Sequence, residues 1–109
     1  MKKQLILVLA MLLFCTFAVA AQKTQNVTVR VGTSYRPWSF KLKKGVPAKL
    51  TFIRTSDEAC GQQVVLPAYG ITRDLPLNQA VAVRFTPKKT GTFSFTCGMH
   101  MMRGKIIVN

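Results

Sequence analysis

Acidic side chains are almost missing from this 109-residue chain: Asp57, Glu58 and Asp74 stand against sixteen lysines and arginines. Histidine occurs once, as His100. With so few carboxylates and one imidazole, no serine–histidine–acid set and no paired general acid and base is apparent. No phosphate-binding glycine loop, internal repeat or low-complexity stretch is present, and no amphipathic helix of useful length. Cysteine is scarce too, with three in all. These absences argue against an enzyme. They leave a small module whose chemistry sits in the few reactive side chains it keeps.

The length allows one domain. Its first twenty residues read as an export signal. Lys2 and Lys3 form a basic head, Leu5 to Val19 an apolar run, and Ala18-Val19-Ala20 a small-x-small cleavage site. The run is short for a membrane span, which needs roughly 20 apolar residues. Bulky Phe14 before Cys15 disfavours a lipid anchor. The expected organisation is therefore a signal peptide, 1–20, cleaved after Ala20, and one domain, 21–109. The mature protein is expected in the periplasm or outside the cell, with no stable membrane insertion. Cys15 leaves with the leader, so Cys60 and Cys97 are its two cysteines.

Removing Lys2 and Lys3 lowers the formal charge from +13 to +11. Such an excess suits an anionic partner, a membrane surface or an acidic protein. The cations are scattered, however, and Lys41, Lys43 and Lys44 form the dense run. A solvated surface with some electrostatic steering is the expectation. An exported protein rarely meets nucleic acid, and none is expected as partner.

Period-two alternation recurs along the chain, with turn residues between the runs. Val27, Val29 and Val31 alternate with polar neighbours. Phe40 and Leu42, Leu50 and Phe52, and Val64-Val65-Leu66 before Pro67 follow. Then come Val81, Val83 and Phe85, next Phe93 and Phe95, and finally Ile106 and Val108. About seven strands in one domain predict an all-β, two-sheet Greek-key sandwich. Trp38 is expected to pack on it. Cys97 shares the parity of Phe93 and Phe95. If the phenylalanines face the core, the thiol points inward at the strand's end.

Cys97-Gly98-Met99-His100-Met101-Met102 puts five soft or borderline metal ligands into six positions. Thiolate and thioether suit Cu(I) above all, and imidazole also suits copper. A methionine stripe is ordinarily core packing. Three methionines flanking a histidine, beside a cysteine, point to copper instead. The competing reading of Cys60 and Cys97 is a disulfide, favoured in an oxidising compartment.

These residues resemble the cupredoxin family, which includes plastocyanin and azurin. There a cysteine ends the penultimate strand, and a histidine and a methionine follow before the last strand. The ending Met102-Arg103-Gly104-Lys105-Ile106-Ile107-Val108-Asn109 is similar to that of plastocyanins, and Cys97-x-x-His100 has their spacing. Closer are small bacterial cupredoxin-like proteins associated with copper handling. Like them, the chain carries a Cys-Gly-Met-x-Met-x-x-Gly loop, here Cys97 to Gly104. It also has an upstream cysteine, Cys60, before Val64-Val65-Leu66-Pro67. Blue-copper sites use two histidines, and this chain has one. Gln62 stands roughly where the first histidine falls.

The resemblance implies an exported protein that binds copper, preferentially Cu(I), for storage, transfer or resistance. Its partners would be the copper ion and a copper-transporting or copper-receiving protein. The expected metal ligands are Cys60, Cys97, Met99 and Met101. His100 competes for a place: the plastocyanin spacing makes it a ligand, the Met-x-Met loop a bystander. Two alternatives stand beside this: an electron-transfer cupredoxin with a cysteine-rich site, and a disulfide-bonded interaction module using its basic surface.

Overall fold

The computed structural model describes residues 23–57 and 60–109. The expected signal peptide and its cleavage point lie outside them, as does Glu58. Nine strands form: β1 (Gln25–Val31), β2 (Tyr35–Arg36), β3 (Ser39–Leu42), β4 (Ala48–Arg54), β5 (Gln63–Leu66), β6 (Ile71–Asp74), β7 (Ala80–Phe85), β8 (Gly91–Cys97) and β9 (Arg103–Val108). One sheet has the order β2-β1-β4-β7 and the other β3-β9-β8-β5-β6. β1 runs parallel to β4, and β3 parallel to β9; the other neighbours are antiparallel. The parallel pairs arise because the chain crosses to the opposite sheet before returning. Among the described residues no helix is long and apolar enough to cross a membrane.

The all-β sandwich is as expected, with nine strands among the described residues where about seven were expected. The two extra strands carry no alternation to read. β2 is two residues long. β6 is an edge strand with no buried residue, so Thr72, Arg73 and Asp74 needed no apolar partner. Trp38 also departs from expectation. It is 57% exposed. The Lys105 ammonium lies 5.8 Å from its ring centre, on the outer side of β9.

Alternation sets the core. β4 buries Ala48, Leu50, Phe52 and Arg54 on one face, and β9 buries Gly104, Ile106 and Val108. Phe95 of β8 joins the sheets. Its ring lies 4.7 Å from Tyr35, 5.7 Å from Phe40 and 6.0 Å from Phe52, centre to centre. Two of those partners come from the opposite sheet, so one side chain ties both layers. Tyr69, on a short 3-10 turn (Pro67–Tyr69), stacks on Phe85 at 4.2 Å and closes the far end.

Phe95 fits because its cross-strand neighbour is Gly104. A Cβ at that position would collide with the Phe95 ring. The glycine is needed for close approach, not for its backbone freedom.

Two outcomes follow from this core. Gly104→Ala forces the Phe95 ring to shift and should cost about 1–3 kcal/mol, as overpacking does; denaturant unfolding would measure it, and an unchanged midpoint would show that the ring moves freely. The second concerns Tyr35, whose hydroxyl is buried with no hydrogen-bond partner. Burial raises its phenol well above the usual 10.0. The unfolded chain therefore loses this proton first as pH rises. The stability it contributes is full below roughly pH 10 and is lost above it. Tyr35→Phe should change neutral-pH stability by under about 1 kcal/mol, because no hydrogen bond is removed, and should move the alkaline unfolding midpoint upward.

Candidate metal centre

β8 carries Phe93, Phe95 and Cys97 toward the interior, and Cys97 is fully buried. The loop 98–102 then folds back over its sulfur. The His100 N–H donates to the Cys97 carbonyl (3.0 Å), and the Cys97 N–H to the Met102 carbonyl (3.3 Å). This tight return needs a left-handed residue, and His100 supplies it with φ 58°. Histidine is among the side chains that tolerate that region. Gly98 lies close to the Gln63 side chain: a Cβ there would come within 2.9 Å of Gln63 Oε1, the end of a flexible chain that can move aside.

The return aims two backbone donors at sulfur. Met101 N–H and Met102 N–H both point to Cys97 Sγ, at 3.3 and 3.4 Å. Donors on sulfur favour its anionic form. Cys60 reaches the same point from the stretch before β5. The structure joins Cys60 and Cys97 as a disulfide, with Cα atoms 5.9 Å apart. The two cysteines expected to meet do meet, and in this state they are oxidised.

Beside them opens a cleft of about 950 Å³, lined by Arg54, Cys60, Gln62, Met99, Met101 and Met102 among others. Met99 and Met101 are 74% and 76% exposed over it, while Met102 is buried. The alternating pair thus sits at the cleft mouth, and Met102 belongs to the core.

His100 is set apart. Its Nδ1 lies 3.1 Å from Thr96 Oγ1. Thr96 alternates with Cys97 along β8 and faces the other side of the sheet. The histidine does not line the cleft. Gln62 does, and its carbonyl accepts the Leu75 N–H at 2.7 Å. Among the described residues no group of three or more His, Cys, Asp or Glu side chains gathers to hold a metal. The soft atoms at this place are the two cysteine sulfurs and the thioethers of Met99, Met101 and Met102. Asp57 turns instead to Arg54, 3.7 Å away.

Arg54 was not among the residues expected at the site. It lies inward on β4, about nine-tenths buried, and lines the cleft. The signal was in the sequence: Ala48, Leu50, Phe52 and Arg54 share one parity, which places a cation at a core position.

The sequence model of the Cupredoxin-like domain family matches residues 5–108, so the chain belongs to that family. Among solved structures it is similar to the metal-binding domain, with Cu(I), of the Cu(I)-exporting P-type ATPase CopA of Streptococcus pneumoniae. That likeness has a TM-score of 0.78 and 29% identity over 84% of this chain and 92% of that one. It is also similar to a copper-binding protein solved in its apo form, with a TM-score of 0.76 and 40% identity over 84% of this chain and 93% of that one. A reduced auracyanin from Roseiflexus castenholzii shares the fold, with a TM-score of 0.61 and 18% identity over 84% of this chain and 99% of that one. A search of the curated proteins found no match.

The disulfide closes a loop with a sequence separation of 37. Loop-closure entropy puts its contribution at about 4 kcal/mol. Reduction should yield two thiols per chain, counted with a thiol reagent in denaturant, and lower the unfolding free energy by an amount of that order. A loss under about 1 kcal/mol would show that the two strand ends are held together without the bond.

Proposed function

We propose that this chain is an exported copper-binding protein that takes Cu(I) at Cys60 and Cys97, with Met99 and Met101 completing the site. Its role is to store, transfer or sequester copper in the periplasm or outside the cell, without catalysis. The observation that supports this most is the meeting of two cysteine sulfurs beneath two exposed thioethers, with no third hard or borderline ligand gathered among the described residues. Thiolate with thioether is a Cu(I) donor set, and zinc sites seldom use thioethers. The two backbone donors on Cys97 Sγ suit a bound thiolate. The Cu(I)-bound relative adds weight to the oxidation state, and the apo copper-binding relative to the metal.

The disulfide is then the oxidised, metal-free form. Two electrons and two protons from a thiol reductant convert it to two thiols. Cu(I) binding releases those protons, since the ligands must be thiolates. The exposed methionines give a transport or acceptor protein access to the ion without unfolding the sandwich. An electron-transfer role finds less support, because a single histidine cannot complete a two-histidine blue-copper set. His100, turned toward Thr96, takes no part.

Anaerobic titration of the reduced protein against a chromophoric Cu(I) chelator tests the reading. One tightly held Cu(I) is expected, not displaced by equimolar Zn(II). Cys97→Ser and Cys60→Ser should each abolish tight binding while the far-ultraviolet spectrum keeps its β signature. His100→Ala should leave affinity within about tenfold, or about 1.4 kcal/mol. Displacement by zinc, or parental affinity in either cysteine variant, would overturn the assignment. A large loss in His100→Ala would restore the electron-transfer alternative.

A further inference from the structure

Arg54 is a largely buried cation, weakly paired among the described residues. Its side chain is 10% exposed. Its Nε is buried and has no hydrogen-bond partner. The one ion pair found for it among the described residues reaches Asp57 at 3.7 Å, and the Asp57 side chain is 71% exposed. Such a pair is weak and screened. The other carboxylate on the cleft, Asp74, is exposed and accepts the Gln63 amide at 2.9 Å. A guanidinium held at the wall of this cleft, where screening is reduced, favours an anion close by.

Arg54 lines the same cleft as Cys60. A Cβ at Gly61, next to Cys60, would meet the Arg54 Cδ at 3.4 Å. The arginine stem therefore runs directly under the Cys60 segment. The disulfide is neutral and gives the guanidinium nothing. Two thiolates holding one Cu(I) carry a net charge of −1.

We propose that Arg54 is the counter-charge of the copper centre. It touches no metal, and it stabilises the anionic bis-thiolate Cu(I) state through its buried positive charge. This rests on the Cu(I) reading above and adds a source of selectivity to it. A divalent ion on the same two thiolates gives a neutral centre, which gains little from a nearby cation. Arg54 thus biases the site toward monovalent ions by charge, beyond the softness of its ligands.

The test compares the reduced parent, Arg54→Met and Arg54→Lys for Cu(I), by chelator competition, and for Cd(II), by its thiolate charge-transfer absorption. Arg54→Met should weaken Cu(I) binding at least tenfold and change Cd(II) binding less than threefold. Arg54→Lys should restore Cu(I) affinity to within about threefold of the parent. Thermal unfolding of the oxidised proteins confirms that each variant is folded. Equal losses for both ions would mark Arg54 as structural, and no loss for Cu(I) would remove it from the site; either overturns the proposal. A parent that binds no Cu(I) through its cysteines overturns the function itself, a separate result.

Discussion

The Phe95 ring over Gly104 is the contact on which the rest of the molecule turns. The ring fits because Gly104 leaves its space open: a single methyl group on β9 would occupy it. From that seat the ring meets Tyr35 and Phe52 of one sheet and Phe40 of the other. The consequence reaches the site directly. Cys97 lies two residues beyond Phe95 on the same face, so the aromatic cluster fixes the depth and direction of the sulfur. The loop after it needs only to fold back, and the left-handed His100 lets it do so in five residues. The hairpin thus delivers a buried sulfur and two exposed thioethers from one short segment.

The charge of the chain takes a definite form in the sheets. Arg30 stands opposite Arg36, and Lys49 opposite Arg84. Like charges facing each other across strands destabilise a sheet. The sandwich tolerates them because its interior is almost wholly apolar, and because salt screens exposed charges over about 10 Å at 0.1 M. Arg54 differs from all of these. It is the cation turned inward, where screening fails, and for that reason its partner matters.

Much of the fold was legible because alternation is a local signal. The parity of Val27, Leu50, Val83, Phe95 and Ile106 gave the faces of both sheets, and the step from Phe95 to Cys97 gave the sulfur's direction. β2 and β6 escaped because two-residue and edge strands bury too little to leave a pattern. The loop ligands were legible as chemistry, by residue type and spacing. Their arrangement was not: that His100 turns to Thr96 while Met99 and Met101 border the cleft depends on a single positive φ angle. Arg54 was visible as an arginine at core parity. Nothing local told that the strand's end would lie beneath the second cysteine, since that contact spans two sheets.

In the proposed function, disulfide and copper site are two states of one arrangement. Both need the same pair of sulfurs brought within reach, and the fold does so with strands that need no metal to pair. Zinc-finger-like domains, by contrast, fold only with their ion. Here the buried core is a continuous apolar cluster from both sheets. What changes is charge: neutral as a disulfide, negative as a thiolate centre. In the proposed centre Arg54 answers that difference from inside the fold, and the exposed thioethers of Met99 and Met101 meet the incoming ion. On that proposal inner charge disfavours divalent ions and outer softness disfavours hard ones, so each excludes a different competitor.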